Sequence, residues 1–199
     1  MKAFSNSAFF DCTSGMLEYR PNAELKELSG NVAKLDFEDV KADVLNVIPP
    51  QRASELARST GLLTANNRWV GVNWLTMEAT AAPGIHVLGD AIFPAALMPK
   101  SGHMANQHAK LAAAAVIQQL KGEPVNATPV LMNTCYSFVT ATDAMHVASV
   151  HQYDAAEKTF KTVPGSGGVS AASSALEGRY ALGWAENIWA DMLAVPMRG

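Results

Sequence analysis

The sequence predicts two connected parts: incomplete α/β layers with a mainly parallel or mixed sheet over residues 1–122, and a smaller α+β unit over 123–199. Three observations carry this expectation. Residues 43–48 (DVLNVI) form a mainly apolar run of the kind buried in α/β sheets. Residues 85–122 pass from a β-rich run, through a loop, into a long Ala-rich helical stretch closed by Gly122. Beyond the break at Gly122-Glu123-Pro124, three strand-like segments lead to a final helical one.

In chain order, residues 16–20 (MLEYR) and 32–37 (VAKLDF) read as short strands, the second preceded by the turn-prone Leu28-Ser29-Gly30-Asn31. The strand at 43–48 stops at Pro49-Pro50, because proline cannot donate to a ladder. Residues 51–60 carry helical spacing in Ala53, Leu56 and Ala57 and end at Gly61. Residues 70–77 are extended, and Ala82-Pro83-Gly84 turns the chain into a strand at 85. After the helix that opens behind Ser101, strands are expected at 131–140, 144–153 and 158–163, then a loop at 164–168. A closing helix over 175–193 has Leu176, Tyr180, Trp184, Ile188 and Trp189 as its apolar face.

Composition excludes several classes. The net charge is −3 with no basic stripe, which argues against a nucleic-acid partner. No apolar run reaches membrane-spanning length, and residues 1–12 lack the pattern of a signal peptide. Five histidines include the pairs His103/His108 and His146/His151, both at i, i+5, a poor chelating separation on a helix. The two cysteines, Cys12 and Cys135, match no metal-ligand spacing, so no metal site is expected.

The residues that could carry chemistry cluster in three places. Gly89 lets the backbone approach a ligand closely, and Asp90 beside it can accept hydrogen bonds from hydroxyl groups. Pro99, Lys100, Ser101 and Gly102 lead into a helix whose first N–H groups and positive dipole end suit an electron-rich oxygen or ring edge. Asp90 and Ser101 also read as ordinary capping residues. Cys135, in NTCYS (133–137), is the candidate redox residue, a use that needs a thiolate in a partly polar setting. No GxGxxG follows a strand anywhere in these 199 residues, so no turn cradles a dinucleotide pyrophosphate.

The segments VLNVIPPQRA (44–53), IHVLGDA (85–91), MPKSGHMANQHAK (98–110) and NTCYS together resemble the flavin subunit of flavocytochrome c sulfide dehydrogenase, specifically its C-terminal half. The GDA stretch alone is shared across the two-dinucleotide-binding-domain flavoproteins; MPKSG with NTCYS is far more specific. The resemblance implies incomplete FAD/NAD(P)-binding-type layers over 1–122, followed by a sheet-and-helix, flavin-contacting domain over 123–199. It implies FAD as cofactor, sulfide as substrate, a c-type cytochrome subunit as electron acceptor, and a periplasmic setting. It aims Asp90 at the ribityl chain and the helix start, with Lys100, at the pyrimidine side of the flavin. It also brings Trp184 near the ring and pairs Cys135 with a second cysteine from a segment that Cys12 does not match. Alone, the chain is expected neither to retain FAD nor to oxidise sulfide. It is expected to self-associate through Ala112, Ala113, Val116 and residues 85–88. Two other readings stay open: a non-catalytic domain, and a piece of an NADH- or quinone-linked flavoprotein.

Overall fold

The computed structural model describes residue 20 and residues 23–193 of the 199-residue sequence. The strand expected at 16–20 falls almost wholly outside the described residues, as does Cys12. Two compact units, 1–51 and 52–199, divide the chain. In the first, β1 (Leu25–Ser29), β2 (Val32–Leu35) and β3 (Asp39–Lys41) form an antiparallel meander. Its first turn works because Gly30 takes the left-handed conformation at φ +59. The expected strand at 43–48 is absent: the segment pairs with no neighbour, and Val44 and Ile48 are 86% and 80% exposed. An apolar run without a partner strand cannot satisfy its backbone, whatever its composition.

The second unit opens with α1 (Glu55–Ser59), shorter than the expected 51–60 helix because Ser54 caps it, its hydroxyl accepting from Ala57 N–H. β4 (Val72–Asn73) and β5 (Glu78–Ala79) form a small antiparallel pair. The extended reading of 70–77 fails where Asn73 Oδ1 accepts from Leu75 N–H and turns the chain. Residues 85–88 are likewise not a strand; they attach by a single bridge between Glu78 and His86 and run into a 3₁₀ turn at Gly89–Ala91. Among the described residues every ladder between named strands is antiparallel, and parallel pairing is limited to the bridge between Val70 and Ile92. The mainly parallel or mixed sheet expected over 1–122 is therefore corrected. Within each sheet the strands, two to five residues long, are joined by short connections that leave no room for the crossovers a parallel sheet needs.

α2 (Gly102–Lys121) runs from the Ser101 cap to Gly122 in the left-handed conformation, as the punctuation of the sequence predicts. Its buried residues Met104, His108, Leu111, Ala112 and Ala115 follow the helical period and face the core formed with Met77, Ile92, Leu131 and Phe160. Ala112 is thus core rather than a docking face, while Ala113 is exposed and Val116 half-buried. The C-terminal sheet matches its expected strands closely. β6 (Val130–Phe138) pairs along its whole length with β7 (Ala144–Asp154), which also carries β8 (Thr159–Thr162) and the short β9 (Gly168–Val169). Asp154 Oδ1 accepts from the N–H groups of Ala156 and Glu157 and so shapes the β7–β8 turn.

α3 (Ala175–Leu193) packs on β7. Ser174 accepts from Glu177 N–H, and the Glu177 carboxylate reaches back to His146 on β7 at 2.8 Å. The expected aromatic face is only partly right. Gly178 and Ala181 are buried and Trp184 and Ile188 half-buried, while Leu176, Tyr180 and Trp189 are exposed. A Cβ on Gly178 would lie 1.9 Å from the carbonyl oxygen of Thr142, so the helix seats itself through its smallest residues. The whole is an α+β architecture in which α2 and α3 both meet the β6–β7 pair.

Candidate functional site

The sequence candidates converge on the N-terminus of α2. Ser101 is extended (φ −153), and its hydroxyl oxygen accepts from Met104 N–H at 3.1 Å, a standard N-cap. The same hydroxyl donates to Oδ1 of Asn133, a β6 residue only 2% exposed. Residues two apart on a strand share a face, so Leu131, Asn133 and Cys135 form one row. Cys135 Sγ lies 3.4 Å from Asn133 Nδ2 and is a free thiol. His103, in the first turn of α2, accepts from Thr134 N–H through Nδ1 at 2.9 Å. A ring nitrogen that accepts carries no proton, so His103 is held as the Nε2–H tautomer. Burial pushes its pKa below the usual histidine value, and the Lys110 charge adds to the effect.

A cavity of about 600 Å³ opens between this helix start, β6 and α3, lined by Ser101, Gly102, Asn106, Cys135, Tyr136 and Trp184, among others. The Trp184 ring stands edge-on to His103 (centroids 5.5 Å apart) and 6.0 Å from Tyr136. Trp184 Nε1 and Asn106 Oδ1 are buried with no hydrogen-bond partner. Most buried polar atoms are paired, so two unmet ones on residues lining one cavity mark a place for a ligand or ordered water.

Gly89, Asp90, Pro99 and Lys100 line a second, neighbouring space of only about 10 Å³, with Ser101 on the boundary of both. This is room for one water at most. Gly89 has φ +66, and a Cβ there would come within 3.1 Å of Ala105 Cβ, so close helix–loop packing requires glycine. Asp90 is exposed, and its carboxylate makes no hydrogen bond among the described residues. Lys100 is committed elsewhere. Its ammonium donates to the carbonyls of Asp90 and Ile92, both at 2.7 Å, and sits 3.8 Å from the Trp69 ring centroid. Burial lowers its pKa, partly offset by the Asp90 charge. The candidates therefore form two adjoining groups: Cys135, Gly102 and Trp184 in the larger cavity, Gly89, Asp90, Pro99 and Lys100 in the smaller, joined at Ser101.

His108 underpins this junction. It is 2% exposed, and its Nδ1 accepts from Gly89 N–H at 3.3 Å. Burial, then the Lys100 and His151 charges, lower its pKa to about 4. A histidine whose folded pKa is depressed contributes stability that is complete above its unfolded value of about 6.5. That stability is lost as pH falls from there through about 4. Urea midpoints measured from pH 7 to pH 4 should therefore show a fall, worth roughly 2–3 kcal/mol, that His108→Gln flattens. An unchanged pH slope in the variant would contradict this assignment.

Asn133, His103, Asn106 and Tyr136 belong to the site without having been singled out in the sequence. Asn133 was legible in part, since it stands two residues before Cys135 on a predicted strand. Asn106 was not, because its place depends on α3 arriving from 78 residues later. Among the described residues no cluster of three His, Cys, Asp or Glu side chains could hold a metal ion, and no helix is long and apolar enough to cross a membrane. Residues 127–193, which carry β6 to β9, α3, Cys135 and Trp184, match the family model described as flavocytochrome c sulphide dehydrogenase, flavin-binding; of the four sequence motifs, NTCYS lies within the matched residues.

Proposed function

We propose that this chain supplies the C-terminal, flavin-contacting part of an FAD-dependent sulfide dehydrogenase that passes electrons to a c-type cytochrome subunit in the periplasm. The observation that carries the reading is a coincidence of position. The flavin-binding family match over 127–193 contributes Cys135 and Trp184 to the cavity that the start of α2 completes. The residues suit a flavin ring edge on their own terms: a largely apolar cavity of about 600 Å³, two unmet polar atoms, and the positive end of a 20-residue helix. Bound FAD would accept an electron pair and release it one electron at a time.

In this reading Cys135 holds substrate sulfur or pairs with a second cysteine. Joining hydrosulfide (HS⁻) to the Cys135 thiolate as a persulfide releases one proton and two electrons, a pair that bound FAD would take, and the cytochrome receives the electrons singly. The helix start and Trp184 orient the ring, and Asp90 accepts from a ribityl hydroxyl. The two regions 1–122 and 123–199 then correspond to partial FAD/NAD-type layers and the flavin-contacting domain. With no glycine-rich turn in these 199 residues, the chain alone binds flavin weakly and is not active by itself. Sulfide-driven bleaching of the flavin in the whole flavoprotein, with and without Cys135, tests the reading, and the same bleaching by these 199 residues alone would contradict it.

A second reading, a non-catalytic domain that self-associates, draws on Leu182, Trp189, Met192 and Leu193, which are 60–73% exposed along α3.

A further inference from the structure

We infer that Asn133 is the positioning residue for the Cys135 sulfur, held in its working orientation by the Ser101 cap of α2. The inference deepens the reading of Cys135 as a reactive thiol and rests on that reading, but its test needs no flavin. Three hydrogen bonds in series carry it. Met104 N–H donates to Ser101 Oγ, the Ser101 hydroxyl donates to Asn133 Oδ1, and Asn133 Nδ2 donates toward Cys135 Sγ at 3.4 Å.

The direction of the chain matters. An amide side chain can flip and exchange its oxygen for its nitrogen. Here the Ser101 hydroxyl already accepts from the helix backbone and offers its single proton to Asn133. That proton demands the oxygen on the Ser101 side and turns the NH₂ toward the sulfur. When the thiol is protonated, Cys135 Sγ can donate in return to Oδ1, 3.7 Å away. When the sulfur is anionic, Nδ2 is the donor it meets. One buried amide, 2% exposed, thus serves both forms of the sulfur without moving. The sulfur that attacks an electrophile is the anion, and a hydrogen bond to a charged group is stronger than one to a neutral group. The start of α2 therefore acts on Cys135 through Asn133, which lies 32 residues from Ser101 in sequence.

Asn133→Asp removes the donor but adds a charge beside the sulfur. It is therefore paired with Asn133→Leu, which removes the donor without a charge; slowing in both assigns the effect to the donor. The carboxylate keeps an oxygen for Ser101 but has no N–H for the sulfur. In a Cys12→Ser background, where Cys135 is the only thiol, alkylation by iodoacetamide at fixed pH should slow about tenfold in Asn133→Asp. Ser101→Ala, which frees the amide to flip, should slow it less, by about threefold. An unchanged or faster rate in either variant, with the far-ultraviolet circular dichroism of the parent, would overturn the inference. Should these variants not fold, the Raman S–H stretching band of the Cys12→Ser chain decides. A band shifted to the lower frequency of a hydrogen-bonded thiol supports the inference, and the frequency of a free thiol overturns it. Sulfide oxidation retained by Cys135→Ser in the whole flavoprotein, together with slowed alkylation in Asn133→Asp and Asn133→Leu, would count against the proposed function and leave this assignment intact.

Discussion

Phe160→Ala is expected to lower the stability of the 52–199 unit by about 3–5 kcal/mol. Phe160 is fully buried on β8, the central aromatic of the core shared by Met77, Ile92, Leu111 and Leu131. Its ring meets Trp74 edge-on at 5.6 Å and Tyr153 at 5.8 Å, contacts worth something beyond the buried area. The surrounding groups come from four directions: the loop around Met77, the Ile92 bridge, α2 and β6. They cannot all collapse inward, so most of the cavity term survives. The urea midpoint should fall with the slope unchanged. A loss below about 1 kcal/mol would mean that β8 is not anchored in this core.

In the whole flavoprotein proposed above, with a glycine-rich turn present to hold the pyrophosphate, Cys135→Ser is expected to reduce sulfide-dependent flavin reduction by ~10³-fold or more, the scale seen when a covalent catalytic group is removed. Serine is nearly isosteric and preserves the hydrogen bond to Asn133. Folding should survive, which separates chemistry from structure. What disappears is the sulfur that can form and break S–S bonds. Retained activity would remove Cys135 from the reaction and leave the cavity as a binding face alone.

These two residues show why parts of the molecule were legible in the sequence and others were not. The β6–β7–β8 meander was readable because its strands alternate and turn residues separate them; Asp154 and Lys158, with φ +53, are where the chain bends. α2 was readable from both ends, Ser101 and Gly122. The run at 43–48 misled because apolar composition says a segment could be buried, not that a partner strand exists. α3 misled for the opposite reason. Hydrophobic periodicity points to the largest side chains, but close approach to Thr142 needs Gly178, and the face buried with it is that of Ala181, which leaves Tyr180 and Trp189 outside. In the site, Cys135 and Ser101 came from motifs. The link between them did not, because Asn133 is meaningful only once α2 lies across β6.

The most direct measurement follows FAD titrated into the ¹⁵N-labelled chain through the indole N–H signals of its four tryptophans, assigned by single Trp→Phe substitutions. The Trp184 ring nitrogen is buried and unpartnered, on the cavity wall; Trp69 is covered by Lys100, and Trp74 packs against the core. Losing three charge-assisted bonds to a pyrophosphate weakens binding about a thousandfold or more, so the affinity should fall in the roughly 0.1–1 mM range. A saturable shift is expected at the Trp184 indole, a smaller one at Trp189, and little change at Trp69 and Trp74. No saturable shift at Trp184, or shifts centred on Trp69 and Trp74, would contradict a flavin face built from the start of α2, β6 and α3.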